Sequence, residues 1–244
     1  MNIEVIFPIY NESESLNEQI NKFNEFFDDE FRKNIFITIA DNGSTDNTSN
    51  ICKDLLFRKL IDNYLFIPEK GRGRAIKQSI RNSKADIVTY MDIDLSTDLS
   101  HFIPLIESIS EKGYDISIGS RLSKESKVIG RKKIREFTSR AYNILIKFFF
   151  PLSRIHDMQC GFKAFSRIKI LKILDLIENN RWFFDTELII TARKFNLKID
   201  QIPVKWVDDP DTSVNIISTA IEDIVGLTKL RMKLFRNIDL KNDK

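Results

Sequence analysis

What most constrains this chain is an alternation carried through its first two-thirds: short runs rich in Ile, Val, Phe and Tyr, each followed by a segment with helical apolar spacing. Residues 4–9, 35–40, 64–67, 86–91 and 115–119 read as strands. Residues 13–27, with Leu16, Ile20, Phe23 and Phe27 on one face, read as a helix, as do 74–82 and 102–112. Asp46 or Thr45 is placed to cap a further helix running to about residue 60. Such spacing predicts an α/β fold: a mostly parallel central sheet with helices on both faces. Ligands of these sheets bind beyond the carboxyl ends of the strands. Three polar clusters fall there, at Tyr10-Asn11-Glu12, residues 41–46 and residues 92–98.

Beyond Arg121 the pattern changes. Residues 131–150 predict an amphipathic helix with Ile134, Phe137, Ala141, Ile144, Leu145 and Phe148 on one side, stopped by Pro151. A strand at 161–165, helices at 169–177 and 185–195 and a last strand at 198–204 follow. A terminal amphipathic helix at 213–235 leads to a polar, frayed tail at 237–244. No repeat or low-complexity linker divides the chain, so residues 1–236 are expected to form a single domain.

Charge is unevenly placed. The net charge is +3, yet nine basic and only two acidic residues lie between Arg121 and Lys147, which leaves the rest of the chain net negative. A local basic stripe points to a local anionic partner, phosphate or a lipid surface. Nucleic-acid binding would want a broader basic face. The ordinary role for the 131–150 helix is core packing with a solvated basic face. Against it stand the local charge and Phe148-Phe149-Phe150, which is costly to expose to water, and together they favour an in-plane helix on a membrane surface. The most apolar run, 142–152, contains Lys147 and has about half the roughly 20 residues of a membrane span. The N-terminus carries no signal-peptide pattern, so the expectation is a soluble chain or one that lies on a membrane.

Other classes fall away on residue counts. With 42% hydrophobic residues and 19 Phe the chain is not disordered. Two cysteines, Cys52 and Cys160, build no disulfide scaffold and suit a reducing compartment. Cys160 reads as a small buried residue rather than a nucleophile, for want of an adjacent base. Two histidines, His101 and His156, argue against a His-rich zinc site and against Ser-His-Asp chemistry. Any metal must therefore sit on carboxylates.

The carboxylates are suitably placed. Asp92 and Asp94 directly follow a buried strand, and residues two apart in an extended segment point to the same side. Two like charges facing one point are relieved by a hard cation, Mg²⁺ or Mn²⁺, shared with substrate phosphates; the bland alternative is a solvated loop. Asp41 serves turn chemistry in ADNGSTDNT, and can also accept hydrogen bonds from a ribose or base. Residues 70–74, KGRGR, resemble a phosphate cradle but lack the third glycine of a dinucleotide fingerprint and the ending of a P-loop.

Taken in order, FPIYNE (7–12), ADNGSTDNT (40–48), KGRGRA (70–75), MDIDLSTD (91–98), IGSR (118–121), DMQCGFKAF (157–165), FFDTELI (183–189) and PVKWVDDPDTSV (203–214) resemble a family-2 glycosyltransferase of the GT-A fold. The last three look most like the branch that makes dolichyl- or other polyprenyl-phosphate hexoses. The resemblance implies inverting transfer of a hexose from a nucleotide-sugar to a polyprenyl phosphate, with a donor-binding half at about 1–120 and an acceptor half at about 121–236. It assigns Pro8, Tyr10, Glu12, Asp41 and Gly71 to the donor, and Asp92 and Asp94 to the metal-binding D-x-D motif, Asp94 being the direct ligand. It assigns Arg121, Arg135 and Ser139 to the lipid's phosphate and Gln159 to the sugar pocket. Ser96 stands where many mannosyl members carry Gln, which favours UDP-glucose over GDP-mannose. Many relatives carry transmembrane helices at one end; a chain without them would act as a peripheral enzyme on the cytoplasmic membrane face, or with a separate membrane-protein partner.

Two other readings stay open at this level. A saccharide acceptor would need a carboxylate base, for which Asp185 or Glu187 is available. A non-catalytic nucleotide- or lipid-binding subunit would bind donor without turnover.

Overall fold

The computed structural model of the chain describes residues 1–130, 133–151, 155–208 and 216–242. Its centre is a seven-stranded sheet of β1 (Ile3–Ile9), β2 (Ile35–Asp41), β3 (Asn63–Phe66), β4 (Ile87–Met91), β5 (Ile116–Ser120), β7 (Phe162–Ser166) and β8 (Ile199–Pro203). The spatial order is β3-β2-β1-β4-β7-β5-β8, so both halves of the chain share one sheet. Every pairing is parallel except those of β7, which runs antiparallel to β4 and β5.

Helices cover both faces, as the alternation predicts. On one face α1 (Leu16–Phe26), α3 (Thr48–Phe57) and α5 (Phe102–Ser110) bury Leu16, Phe23, Leu55 and Phe102 against β1, β2 and β4. Edge-to-face contacts of Phe23 with Phe7 and Phe102 fix that layer. On the other face α4 (Arg72–Asn82), α7 (Arg167–Leu174) and α8 (Phe184–Lys194) bury Ile76, Ile80, Ile170 and Leu188. α6 (Lys133–Phe149) and α9 (Ile216–Asn242) join this second layer through Ile146, Leu227 and Leu230.

Several expected boundaries move. The first helix begins at Leu16, because residues 13–15 are held in a turn that joins the loops after β1 and β2. A single turn, α2 (Asp29–Arg32), capped by Asp28, was not anticipated. The last strand stops at Pro203 and is followed by β9 (Lys205–Val207), which pairs in parallel with β6 (Lys127–Ile129) in a separate ribbon. The expected polar tail is helical as far as Asn242, because no Gly or Pro follows Gly226 to stop the helix. Residues 213–215, expected to open that helix, lie outside the described residues.

Candidate active site

Strand register gathers the candidate residues at one edge. Ile9 pairs with Asp41 and Asp41 with Phe66, so β1, β2 and β3 end level. Met91 pairs with Phe162 in the antiparallel β4–β7 ladder, which sets Asp92 opposite Gly161. Ser120 pairs with Pro203, so Arg121 leaves the sheet at the same edge.

The loops after β1 and β2 are stitched together. Asn11 donates its backbone N–H to Ser44 Oγ at 2.9 Å and accepts from the Thr45 N–H at 2.8 Å; Glu12 N–H donates to Thr48 Oγ1 at 2.9 Å. Asp46 accepts from the Thr48 N–H at 3.0 Å, a turn just before α3 whose N-cap position is held by Asn47 rather than by Asp46 or Thr45. Asn11 has φ 56°, a left-handed conformation that Asn tolerates better than most residues. Tyr10 is half-buried, with the Lys70 ammonium hydrogen-bonded to its hydroxyl and 4.0 Å from its ring centroid. Pro8 lies beyond the last β1–β4 pair, where that ladder has opened.

Asp41 takes the turn role its neighbours suggest. It is fully buried, accepting from the Ser44 N–H at 2.8 Å and from the Tyr64 hydroxyl at 2.9 Å. Its carboxylate builds the floor of the loop, and the half-buried Asn42 beside it accepts from the Gly71 N–H. Gly71 precedes α4, and a Cβ there would run into the Asn180 carbonyl. Close backbone approach therefore requires this glycine, although its neighbour is protein.

Arg72, inside the supposed phosphate cradle, points inward. Its guanidinium is buried and bridges Asp92 Oδ1 at 2.8 Å and Asp185 Oδ2 at 2.7 Å. Asp185 is further held by Lys163 and by the Tyr90 hydroxyl. Burial would raise the Asp185 carboxyl, but Lys163 and Arg72 outweigh it and hold it below the ordinary carboxylate value. Glu187 is buried and accepts from the Asn179 N–H at 2.7 Å. Both carboxylates considered as a base for a saccharide acceptor are thus committed to internal partners. A lysine inside the apolar strand FKAFS was the one sequence signal of this buried ionic cluster.

The D-x-D pair divides into a held and an exposed member. Asp92 is fixed by Arg72 on one side and lies against Gly161, where any Cβ would collide with its carboxylate. Asp94 is exposed at the cleft and accepts from the Ser96 N–H at 2.9 Å. Leu95 between them has φ 51°, a conformation costing about 1 kcal/mol or more in a residue other than glycine. No cluster of three or more metal-ligating side chains exists among the described residues. Two hard carboxylates, one exposed, fit a Mg²⁺- or Mn²⁺-type ion that takes its remaining ligands from water and a diphosphate.

At the end of β5, Arg121 forms a fork with Asp157: Nε–Oδ2 2.7 Å and Nη2–Oδ1 2.9 Å, with the Arg121 N–H also on Oδ2 at 3.0 Å. The guanidinium lies over the Trp206 ring, 4.9 Å from its centroid. Two of its five guanidinium N–H donors are taken by Asp157, which leaves the Nη1 edge of the fork as the one a phosphate would meet. Gln159 donates to Asp223 of α9. Burial pushes the Cys160 thiol up to about 12, as expected of an inert cysteine. Ser139 is half-buried on α6; the Arg135 side chain, one turn before it, lies outside what is described.

α6 reverses the ordinary reading of its apolar stripe. Ile134, Phe137, Ile144 and Phe148 are 59–77% exposed, while Tyr142, Leu145, Ile146 and Phe149 face the core. Arg140 and Lys147 are exposed beside the stripe. No helix among the described residues is long and apolar enough to cross a membrane.

A mostly parallel sheet with one reversed strand thus gathers its polar loops and the Asp92–Asp94 pair at one edge, the architecture of a transferase of the GT-A type. The family model for glycosyl transferase family 2 matches residues 4–174, and the chain belongs to that family. It is 32% identical over 227 residues to glycosyltransferase AglD of Haloferax volcanii, covering 92% of this chain and 35% of AglD, so it spans about a third of that relative's length. It is 28% identical to the dolichyl-phosphate beta-glucosyltransferase of Saccharomyces cerevisiae, covering 99% of this chain and 78% of the relative. Among solved structures, glucosyl-3-phosphoglycerate synthase of Mycobacterium tuberculosis superposes with TM-score 0.70 at 18% identity, covering 94% of this chain and 80% of that one. A complex of the same synthase with Mn²⁺, UDP-glucose and phosphoglyceric acid gives TM-score 0.68. These neighbours establish the GT-A fold.

Proposed function

We propose that this chain transfers glucose from UDP-glucose to a polyprenyl phosphate, with inversion, at the cytoplasmic surface of a membrane. The observation that carries the acceptor assignment is that Asp185 and Glu187, the carboxylates available as a base, are buried and bound internally. A hydroxyl acceptor needs a base, whereas a phosphate monoester is already largely ionised at neutral pH and attacks without one. The name of the yeast relative supports the same acceptor class, and a UDP-glucose complex of the structural neighbour supports the donor.

In this reading Tyr10, Asn11, Glu12 and the loop floored by Asp41 hold the nucleoside, with Gly71 bonded to Asn42 beside them. Asp94, backed by Asp92, would hold a divalent cation that neutralises the charge developing on the leaving diphosphate. Arg72 keeps Asp92 in place, and Asp157 keeps the Arg121 fork aimed at the acceptor phosphate for in-line attack at the anomeric carbon. Arg135 and Ser139, one turn apart on α6, complete the phosphate grip. The exposed apolar stripe of α6 with Arg140 and Lys147 beside it suits insertion at an anionic lipid surface, which brings the lipid-borne phosphate to these residues.

Substitution Arg135→Ala tests the acceptor. Transfer to a short polyprenyl phosphate should fall at least about tenfold, the worth of a charge-assisted contact, while UDP-glucose affinity stays within about twofold. Equal loss of donor binding would sink the assignment of this helix to the acceptor.

A further inference from the structure

The loop entering β7 touches three walls of the cleft with alternate residues. Asp157 clasps Arg121, Gln159 Nε2 donates to Asp223 Oδ2 at 2.9 Å, and Gly161 lies against the Asp92 carboxylate. Two of these partners are already in the site; Asp223 belongs to α9, beyond the residues that the family model matches. It is only 4% exposed, and its Oδ1 is buried without a hydrogen-bond partner. A buried carboxylate satisfied on one oxygen is a costly way to pack a helix, and such an atom calls for a reason.

Asp223 cannot easily withdraw. One turn on, the Phe183 ring occupies the space where a Cβ at Gly226 would stand, 2.5–2.8 Å away. Leu227 and Leu230 are buried, and Arg231 caps α6 by donating to the Phe149 carbonyl. From α6 the Tyr142 hydroxyl, hydrogen-bonded to Thr186 Oγ1 at 2.9 Å, also favours the charged form of Asp223 as a hydrogen-bond donor; Asp185 of α8 and Glu222 of its own helix, both negative, oppose that form.

An ionised carboxylate is an acceptor only. While Asp223 is charged, the Gln159 amide must turn its NH₂ toward it, leaving the carbonyl oxygen as the group offered elsewhere. We propose that Asp223 is a positioning residue of the sugar pocket: it locks the Gln159 amide so that Oε1 accepts from a hydroxyl of the donor sugar. This rests on the reading of Gln159 as a sugar-pocket residue. Burial pushes the Asp223 carboxyl up to about 7. Protonated, it can donate to Oε1 instead, which releases the lock and takes the acceptor away from the sugar. Binding of the sugar should therefore strengthen as pH rises through neutrality.

The test is calorimetric titration of wild type, Asp223→Asn, Gln159→Ala and the double variant with UDP-glucose, and separately with UDP, in the presence of Mn²⁺ from roughly pH 5.5 to 8.5. Wild type should bind UDP-glucose about tenfold more tightly at the upper end, the worth of one hydrogen bond to the sugar. Asp223→Asn, nearly the same shape, should lose that pH step and bind UDP-glucose about tenfold more weakly at high pH. All four proteins should bind UDP within about twofold of one another, and the double variant should match Gln159→Ala, because Asp223 acts through Gln159. Persistence of the pH step in Asp223→Asn, or equal loss of UDP and UDP-glucose binding, overturns the proposal in favour of a purely structural role. If wild type binds UDP-glucose and the variants are indifferent, the positioning idea falls alone. If wild type binds neither nucleotide, the donor assignment falls and takes this inference with it.

Discussion

Arg121 and Asp157 sit in the site as a buried pair, 12% and 3% exposed at their side chains, and the two charges depend on each other. Removing either leaves the other uncompensated, so Arg121→Ala should cost about 3–5 kcal/mol in denaturant unfolding as well as activity. Burial would raise the Asp157 carboxyl, but Arg121 outweighs it and holds it below the ordinary value. Its stabilising contribution is thus present above the unfolded carboxylate value and lost as pH falls through the depressed one. Asp223 has the opposite sign. Raised to about 7, it keeps in the native state a proton that the unfolded chain releases, so it costs stability increasingly as pH rises from the ordinary carboxylate value to neutrality. Thermal melts should show Asp223→Asn equal to wild type near about pH 4 and more stable near about pH 8, by up to a few kcal/mol. Some of this scale was legible in the chain: the inert Cys160, and a close backbone approach at Gly71, although there to the Asn180 carbonyl and not to a phosphate. The partners were not. Arg121 and Asp157 are 36 residues apart, Arg72 and Asp185 are 113 apart, and only strand register brings them together.

At the scale of elements, α6 shows where periodicity stops informing. Its bounds are readable from sequence and from Pro151, yet apolar residues occur on two faces, one at Ile134, Phe137, Ile144 and Phe148 and another at Tyr142, Ile146 and Phe149. Spacing alone does not say which face meets the core. The structure buries the second and leaves the first outward. Glutamate at Phe137 and Ile144 together should abolish co-sedimentation with vesicles containing anionic lipid, and shift stability by no more than about 0.5 kcal/mol, as at other surface positions. Ile146→Glu, by contrast, puts an unpaired charge at a position 1% exposed and should unfold the region. Unchanged vesicle binding in the double glutamate variant would remove the membrane role from this helix. The β6–β9 ribbon escaped notice for another reason. Three-residue strands are too short to display a two-residue period, and this pair joins positions 78 apart, Lys127 with Lys205.

For the whole molecule, alternation of strand and helix was enough to yield a mostly parallel sheet covered on both faces. The reversal of β7 was not legible, since a buried strand looks alike in either direction. That reversal matters, because it delivers Gly161 and the 157–161 loop to the carboxyl ends of β4 and β5, where they meet Asp92 and Arg121. Transfer of a hexose onto a lipid phosphate at this sheet edge is the proposed activity on which the roles of all these residues rest. The most direct measurement incubates purified protein with Mg²⁺ or Mn²⁺, a short polyprenyl phosphate and radiolabelled UDP-glucose or GDP-mannose, then extracts lipid. Metal-dependent label is expected in the organic phase from UDP-glucose, lost in Asp94→Ala although the variant melts at the wild-type temperature. Donor binding with all label left in the aqueous phase, under either metal and with either sugar nucleotide, would contradict it.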